Sequence, residues 1–185
     1  MSLTQTLGIT LPILQAPMAG AQGSELAIAV ARAGGLGALP CAMLAPSAMA
    51  EELAAFRAAT SAPVNVNFFC HAPPAPDAAA QTRWHEALAP YYAEFGLDIG
   101  AVPAGPGRRP FDHEACEAIA PFRPEVVSFH FGLPEAALLE RVKAWGARVL
   151  ASATTVAEAE WLAAHGADAI IVQGLEAGGH RGMFL

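Results

Sequence analysis

Residues 169–182 read Ala-Ile-Ile-Val-Gln-Gly-Leu-Glu-Ala-Gly-Gly-His-Arg-Gly, an apolar run that empties into a glycine-rich turn carrying one His and one Arg. Glycine has no Cβ to hold a ligand away and reaches positive φ, so the backbone N–H groups of such a turn can close on an anion. A phosphate suits that turn, and so does a plain surface role; the segment alone leaves both open. His130 is the second candidate. It lies in an apolar run between Phe129 and Phe131, and strand alternation puts Ser128 and His130 on one face with both phenylalanines on the other. If the phenylalanines face helices, His130 faces inward. An imidazole that titrates near neutrality can hold an anion when protonated or remove a carbon-bound proton when free; the alternative is a core histidine satisfied by a backbone carbonyl. Asn67 and Gln173 offer both a donor and an acceptor, which suits the polar edge of a heterocycle and equally suits a buried amide tied to backbone.

Other chemistries find little support. No pair of histidines shows the His-Glu-x-x-His spacing of a metal site, and no metal is expected. Strand ends carry no paired carboxylates for glycoside hydrolysis, and Ser152 lacks a nucleophile elbow. A Rossmann Gly-x-Gly-x-x-Gly with a following acidic residue is missing. Cys41, Cys70 and Cys116 are odd in number and far apart; Cys41 and Cys70 end apolar runs, where a small buried hydrophobe is expected rather than redox chemistry. His71 follows a strand and is a candidate pocket residue, whereas His85, His113 and His165 fall on helical or loop segments and should face solvent.

The elements that must position these groups alternate. Strands are expected at 12–18, 36–40, 63–70, 126–131, 148–153 and 169–173, and helices at 24–33, 46–59, 78–95, 134–145 and 155–165. Ser24 is a candidate N-cap, Pro46 a first helical residue, and Gly34, Gly146 and Gly166 candidate left-handed stops. Residues 71–124 depart from the alternation, with eight prolines around one helical piece, and read as an elaborated loop and helix insertion. Continuous apolar strands are buried on both faces, which leaves an open doubly wound sheet or a barrel of eight units. Polar residues choose between them: Gln15, Met18, Asn67, His71, His130, Ser152 and Gln173 all fall at or just past the C-terminal ends of their strands. In a barrel those ends meet at one mouth, whereas in an open sheet most lie far apart. The expectation is a single domain over 1–185, an α/β (β/α)₈ TIM barrel of which this chain supplies about the first six units. A full barrel takes about 250 residues, so the sequence is expected to be part of a longer protein.

Composition narrows the partners. The 185 residues are 54% hydrophobic with a formal net charge of −7 and only 10 Lys plus Arg, which argues for a globular chain and against a nucleic-acid or anionic-membrane partner. The first residues lack the basic and apolar regions of a signal peptide and no apolar run is long enough to span a bilayer, so a soluble cytoplasmic protein is expected.

Five segments carry a resemblance. Residues 14–20 (Leu-Gln-Ala-Pro-Met-Ala-Gly), 33–38 (Ala-Gly-Gly-Leu-Gly-Ala), 64–71 (Val-Asn-Val-Asn-Phe-Phe-Cys-His), 127–132 (Val-Ser-Phe-His-Phe-Gly) and 173–182 resemble the nitronate monooxygenase family, formerly 2-nitropropane dioxygenases. The likeness runs through the whole chain, and the branch it looks like handles propionate 3-nitronate. It implies an FMN-dependent barrel that oxidises alkyl nitronates with O2 to an aldehyde or oxo acid plus nitrite, a detoxification. It further implies that Gln15, Met18, Asn67 and Gln173 lie at the flavin ring, that Gly178, Gly179 and His180 belong to the phosphate turn, and that His130 stands beside the substrate. The competing implications are a flavin-dependent enoyl-acyl carrier protein reductase, which needs NAD(P)H, and a non-catalytic fragment or assembly module.

Overall fold

A computed structural model of the chain describes residues 2–101 and 108–185. The chain divides into two compact units, one formed by Met1–His71 with Arg108–Leu185 and the other by Ala72–Gly107.

The first unit is built on five parallel strands, β1 (Gly37–Pro40), β2 (Val64–Phe69), β3 (Val126–His130), β4 (Arg148–Ala153) and β5 (Ala169–Val172), paired in chain order. A doubly wound sheet reverses its order at a switch point, whereas a barrel adds each strand beside the last. The unbroken order is therefore that of an α/β sheet consistent with part of a (β/α)₈ barrel. Helices α1 (Leu3–Leu7), α2 (Ser24–Arg32), α3 (Pro46–Ala59), α5 (His113–Ile119), α6 (Ala136–Ala144) and α7 (Val156–Ala164) accompany it; α4 (Ala78–Glu94) belongs to the second unit.

The two faces of the strands differ. Leu39, Val64, Val66, Phe68, Val127, Phe129, Val149 and Ala151 pack outward with Leu53 and Phe56 of α3, Ile119 of α5, Val142 of α6 and Leu162 of α7 in one apolar core. Leu36, Val126 and Leu150, on the opposite face, form a second cluster with Leu7, the last residue of the short helix α1, and Ile9 just after it. That plug closes the N-terminal side of the strands. α1 holds its place through a reciprocal Ser2–Gln5 cap and ends at Gly8 with φ +68°. Further along the strands the inward positions become polar, with Asn67, Ser128 and Ser152 buried; Asn65, level with Val126, is a buried polar residue nearer the plug.

Three expectations change. The segment 12–18 pairs with the sheet only through a parallel bridge between Leu14 and Leu36. Pro12 and Pro17 have no N–H to give a ladder, so a longer strand cannot form there; Gln15 lends its side-chain amide instead, accepting from Ala38 N at 3.1 Å and donating to Ala38 O at 3.3 Å. The expected insertion at 71–124 is narrower. Residues 108–124 rejoin the first unit, where α5, capped by Asp112, buries Ala115, Cys116 and Ile119. At α2, Gly23 rather than Ser24 is the N-cap, and Glu52 of α3 accepts the Ser24 N–H at 2.6 Å. Gly34, Gly146 and Gly166 take φ values of +97°, +93° and +107°, the left-handed stops foreseen for them.

In the second unit, Asp77 caps α4 by accepting from Ala80 N at 2.9 Å, and no α4 residue is buried. The prolines at 103 and 106 lie outside the described residues.

Candidate functional site

Strand register brings the chemistry-bearing residues into one row. Asn67 pairs across from Ser128, Phe69 from His130, and Ser152 from Ile171, so β2, β3 and β4 present Asn67, Ser128, His130 and Ser152 on the inward face. Asn67 is 8% exposed and donates from Nδ2 to Ser128 Oγ at 2.9 Å and to Ser128 O at 3.3 Å. His130 is half-buried, and its Nδ1 lies 3.0 Å from Ser152 Oγ. Asn65 Oδ1, on the same face of β2, is buried without a hydrogen-bond partner. A buried carbonyl oxygen that lacks a donor is costly, so the inward face still has an acceptor to satisfy.

Burial lowers the His130 pKa below the ordinary imidazole value; the His180 imidazole adds to that, and a hydrogen bond with the His180 backbone pulls the other way. The shift favours the neutral ring. Ser152 fixes one nitrogen, and when its hydroxyl donates to Nδ1 the ring proton sits on Nε2.

Aromatic rings surround this imidazole. Phe131 lies 4.4 Å from His130 between centroids and 5.3 Å from Phe69, and the His180 ring is 5.5 Å from Phe69 and 6.5 Å from His130. His71 joins them, 6.2 Å from Phe131. Phe129 packs outward among the helices as expected, but Phe131 does not: its φ of +67° turns the chain out of the strand and sets the ring edge-on against the imidazole. The result is an apolar wall around His130 with two more histidines near it.

The glycine-rich turn is tied down at its base. Gln173 donates from Nε2 to His180 O at 2.7 Å and accepts from Gly182 N at 2.7 Å. Both halves of that amide are thus engaged by the turn, as both halves of Gln15 are by β1, and each keeps one N–H for another partner. Gly178 and Gly179 are exposed, Gly179 has φ +76°, and a Cβ built on either meets no atom within 4 Å. Space of that kind accepts a phosphate close to backbone. Met18 is 47% exposed on the loop that follows the Leu14 bridge. Asn67 and Ser128 offer a polar floor to a flat heterocycle, so this residue set fits a ring with a polar edge and a phosphate tail.

The remaining candidates behave as inert groups. Cys41 is fully buried, and burial, opposed by a hydrogen bond with the Asn67 backbone and aided by Glu52, pushes its thiol up to about 12; burial raises Cys70 as well. His85, His113 and His165 are exposed. Among the described residues no three His, Cys, Asp or Glu side chains converge as a metal cluster, and no helix is long and apolar enough to cross a membrane.

Glu158 was not among the sequence candidates. It is completely buried, and accepts at Oε2 from Thr154 N (2.6 Å), Thr154 Oγ1 (2.8 Å) and Thr155 N (3.1 Å), and at Oε1 from Phe184 N (2.7 Å) and Leu185 N (3.3 Å). Thr155 and Glu158 have capping-box spacing, the one signal in the sequence that could have marked it.

Comparison with known proteins follows the same lines. Residues 1–185 match the family described as nitronate monooxygenase. A nitronate monooxygenase of Paraburkholderia phytofirmans is 42% identical over 184 residues, 99% of this chain and 50% of that protein. The solved nitroalkane oxidase from Streptomyces ansochromogenes shares the fold with a TM-score of 0.80 at 36% identity, covering 97% of this chain and 50% of that one. A FabK variant from Thermotoga maritima follows at a TM-score of 0.71 and 25% identity, covering 98% and 48%. The chain spans about half the length of the curated relatives it matches.

Proposed function

The chain belongs to the nitronate monooxygenase family, and from that premise we propose that it supplies the flavin-facing portion of an FMN enzyme that oxidises alkyl nitronates with O2. The products are an aldehyde or oxo acid and nitrite, and propionate 3-nitronate is the substrate we assign. One observation carries this: His130, Ser152, Ser128 and Asn67 share a single inward row, with the glycine-rich turn beside them.

In this reading Asn67 and Gln173 hold the flavin ring through their remaining hydrogen-bonding groups, with Gln15 and Met18 at its edge, and Gly178, Gly179 and His180 receive the phosphate. When bound, FMN supplies the electron-accepting chemistry that the side chains of this chain cannot. The residues do the rest. Phe69 and Phe131 exclude water from the imidazole. His130, its neutral form favoured by burial, positions the nitronate by donating an Nε2 hydrogen bond to it rather than by pairing with it as a cation. With its proton on Nδ1 instead, the same ring is a base for a neutral nitroalkane, which makes proton removal a secondary capacity. Three free cysteines suit a reducing cytoplasm.

The test is a pair of mixing experiments on the flavin-loaded full-length protein. Nitrite release from propionate 3-nitronate in air is the expected result; rapid anaerobic bleaching of the flavin by NADPH, without nitrite release, would identify a reductase and overturn the proposal. Protein that takes up no flavin would leave the non-catalytic reading in its place.

A further inference from the structure

We propose that Glu158 is a positioning residue for His130: with Gln173 it clamps residues 180–185 so that the Gly182 backbone seats the imidazole against Ser152. The functional consequence rests on the role given to His130 above; the structural claim does not.

The clamp has two jaws. Gln173 grips the turn from the end of β5, at His180 O and Gly182 N, each at 2.7 Å. Two residues later Glu158 grips it from α7, at Phe184 N and Leu185 N, while its other oxygen is fastened to Thr154 and Thr155 in the β4–α7 turn. One carboxylate therefore joins the strand end that carries Ser152 to the segment that lies over His130. Held between the jaws, Gly182 is buried, and a Cβ placed on it would stand 2.5 Å from His130 Cε1, 2.9 Å from Nδ1 and 3.1 Å from Nε2. No side chain fits there. The backbone itself is the wall that keeps the ring from swinging away from Ser152 Oγ, 3.0 Å from Nδ1. Phe184 reinforces the seat: its ring packs edge-on to Trp161 of α7 at 5.4 Å, and a Cβ on Gly132 would lie 3.3 Å from it. The other groups around the imidazole are Phe69 from β2, Phe131, and the titratable side chain of His180, with His71 beyond Phe131.

A structural role and a positioning role part company in the side-chain NMR of the histidines. In Glu158→Gln the new amide turns an NH2 group toward backbone N–H donors and loses one jaw, and in Thr155→Ala the cap of α7 is lost while the jaw remains. The purified full chain is titrated across the imidazole range with each variant. In Glu158→Gln the His130 pKa moves back toward the ordinary imidazole value by about half a unit or more as the seat opens to water, and its nitrogen shifts report mixed tautomers. In Thr155→Ala His130 is unmoved, and His165, exposed on the other end of α7, is unmoved in both. Gly182→Ala displaces the wall directly and reproduces the Glu158→Gln shift, including when Glu158→Gln is too unstable to titrate. Equal shifts in Glu158→Gln and Thr155→Ala, or no His130 shift in Gly182→Ala, would overturn the proposal. The titration needs neither flavin nor nitronate, so a protein that released no nitrite would count against the proposed function and not against the clamp.

Discussion

Acid should loosen this protein through one carboxylate. Burial alone would raise the Glu158 pKa, but the donors from Phe184, Thr154 and Leu185 overcome it and hold the group at about 2, against an ordinary 4.5. A folded-state pKa below the unfolded one means that the unfolded chain binds the proton first as pH falls, so stability is complete above the unfolded value and is lost on the way down. A gap of this size is worth on the order of 3 kcal/mol in all, of which about 2 kcal/mol is gone by about pH 3. For a domain whose whole stability is about 5–15 kcal/mol that is a large share. Glu158→Gln removes the titrating group, and with it this part of the pH dependence. Urea unfolding followed by circular dichroism, run for both proteins at several pH values between neutrality and about pH 3, isolates it, because every other carboxylate cancels in the difference. The wild type should lead at neutral pH, and its lead should shrink by about 2 kcal/mol toward the acid end. Parallel stability curves would show that the five donors do not hold the carboxylate as described.

Ser152→Ala frees His130 Nδ1 to exchange tautomers; kcat/KM for nitronate oxidation should fall about tenfold with most of the loss in kcat, and unchanged kinetics would remove Ser152 from the site. Cys41 should resist alkylation by iodoacetamide in the native protein and react promptly in urea, since burial keeps its thiol protonated; an equal rate in the two states would refute its burial.

Much of the fold was legible because its signals are local. The helix at 46–59 and the strand at 148–153 have the bounds expected of them, the first marked by Pro46 and the second by Gly146 before it. Elements that depend on partners were not legible. α1 is five residues long and α5 seven, too short to show apolar periodicity, and both owe their place to the clusters that Leu7 and Ile119 complete. The weakness of the pairing at 12–18 was visible in Pro12 and Pro17, although the apolar run concealed it. In the site, alternation sufficed to put Ser128 and His130 on the inward face, and strand ends to put Asn67 and Ser152 beside them. Alternation failed at Phe131, where positive φ ends the strand one residue early. Gln15 and Gln173 show a further limit: an amide matches a peptide group as well as it matches a heterocycle, and composition cannot say which it meets.

The central claim is that His130 positions a nitronate on the inward face of these strands. The direct measurement is kcat/KM for nitrite release from propionate 3-nitronate by flavin-loaded full-length protein, wild type against His130→Asn. A loss of about 100-fold or more is the predicted result. An unchanged kcat/KM in a variant that still binds flavin would contradict it.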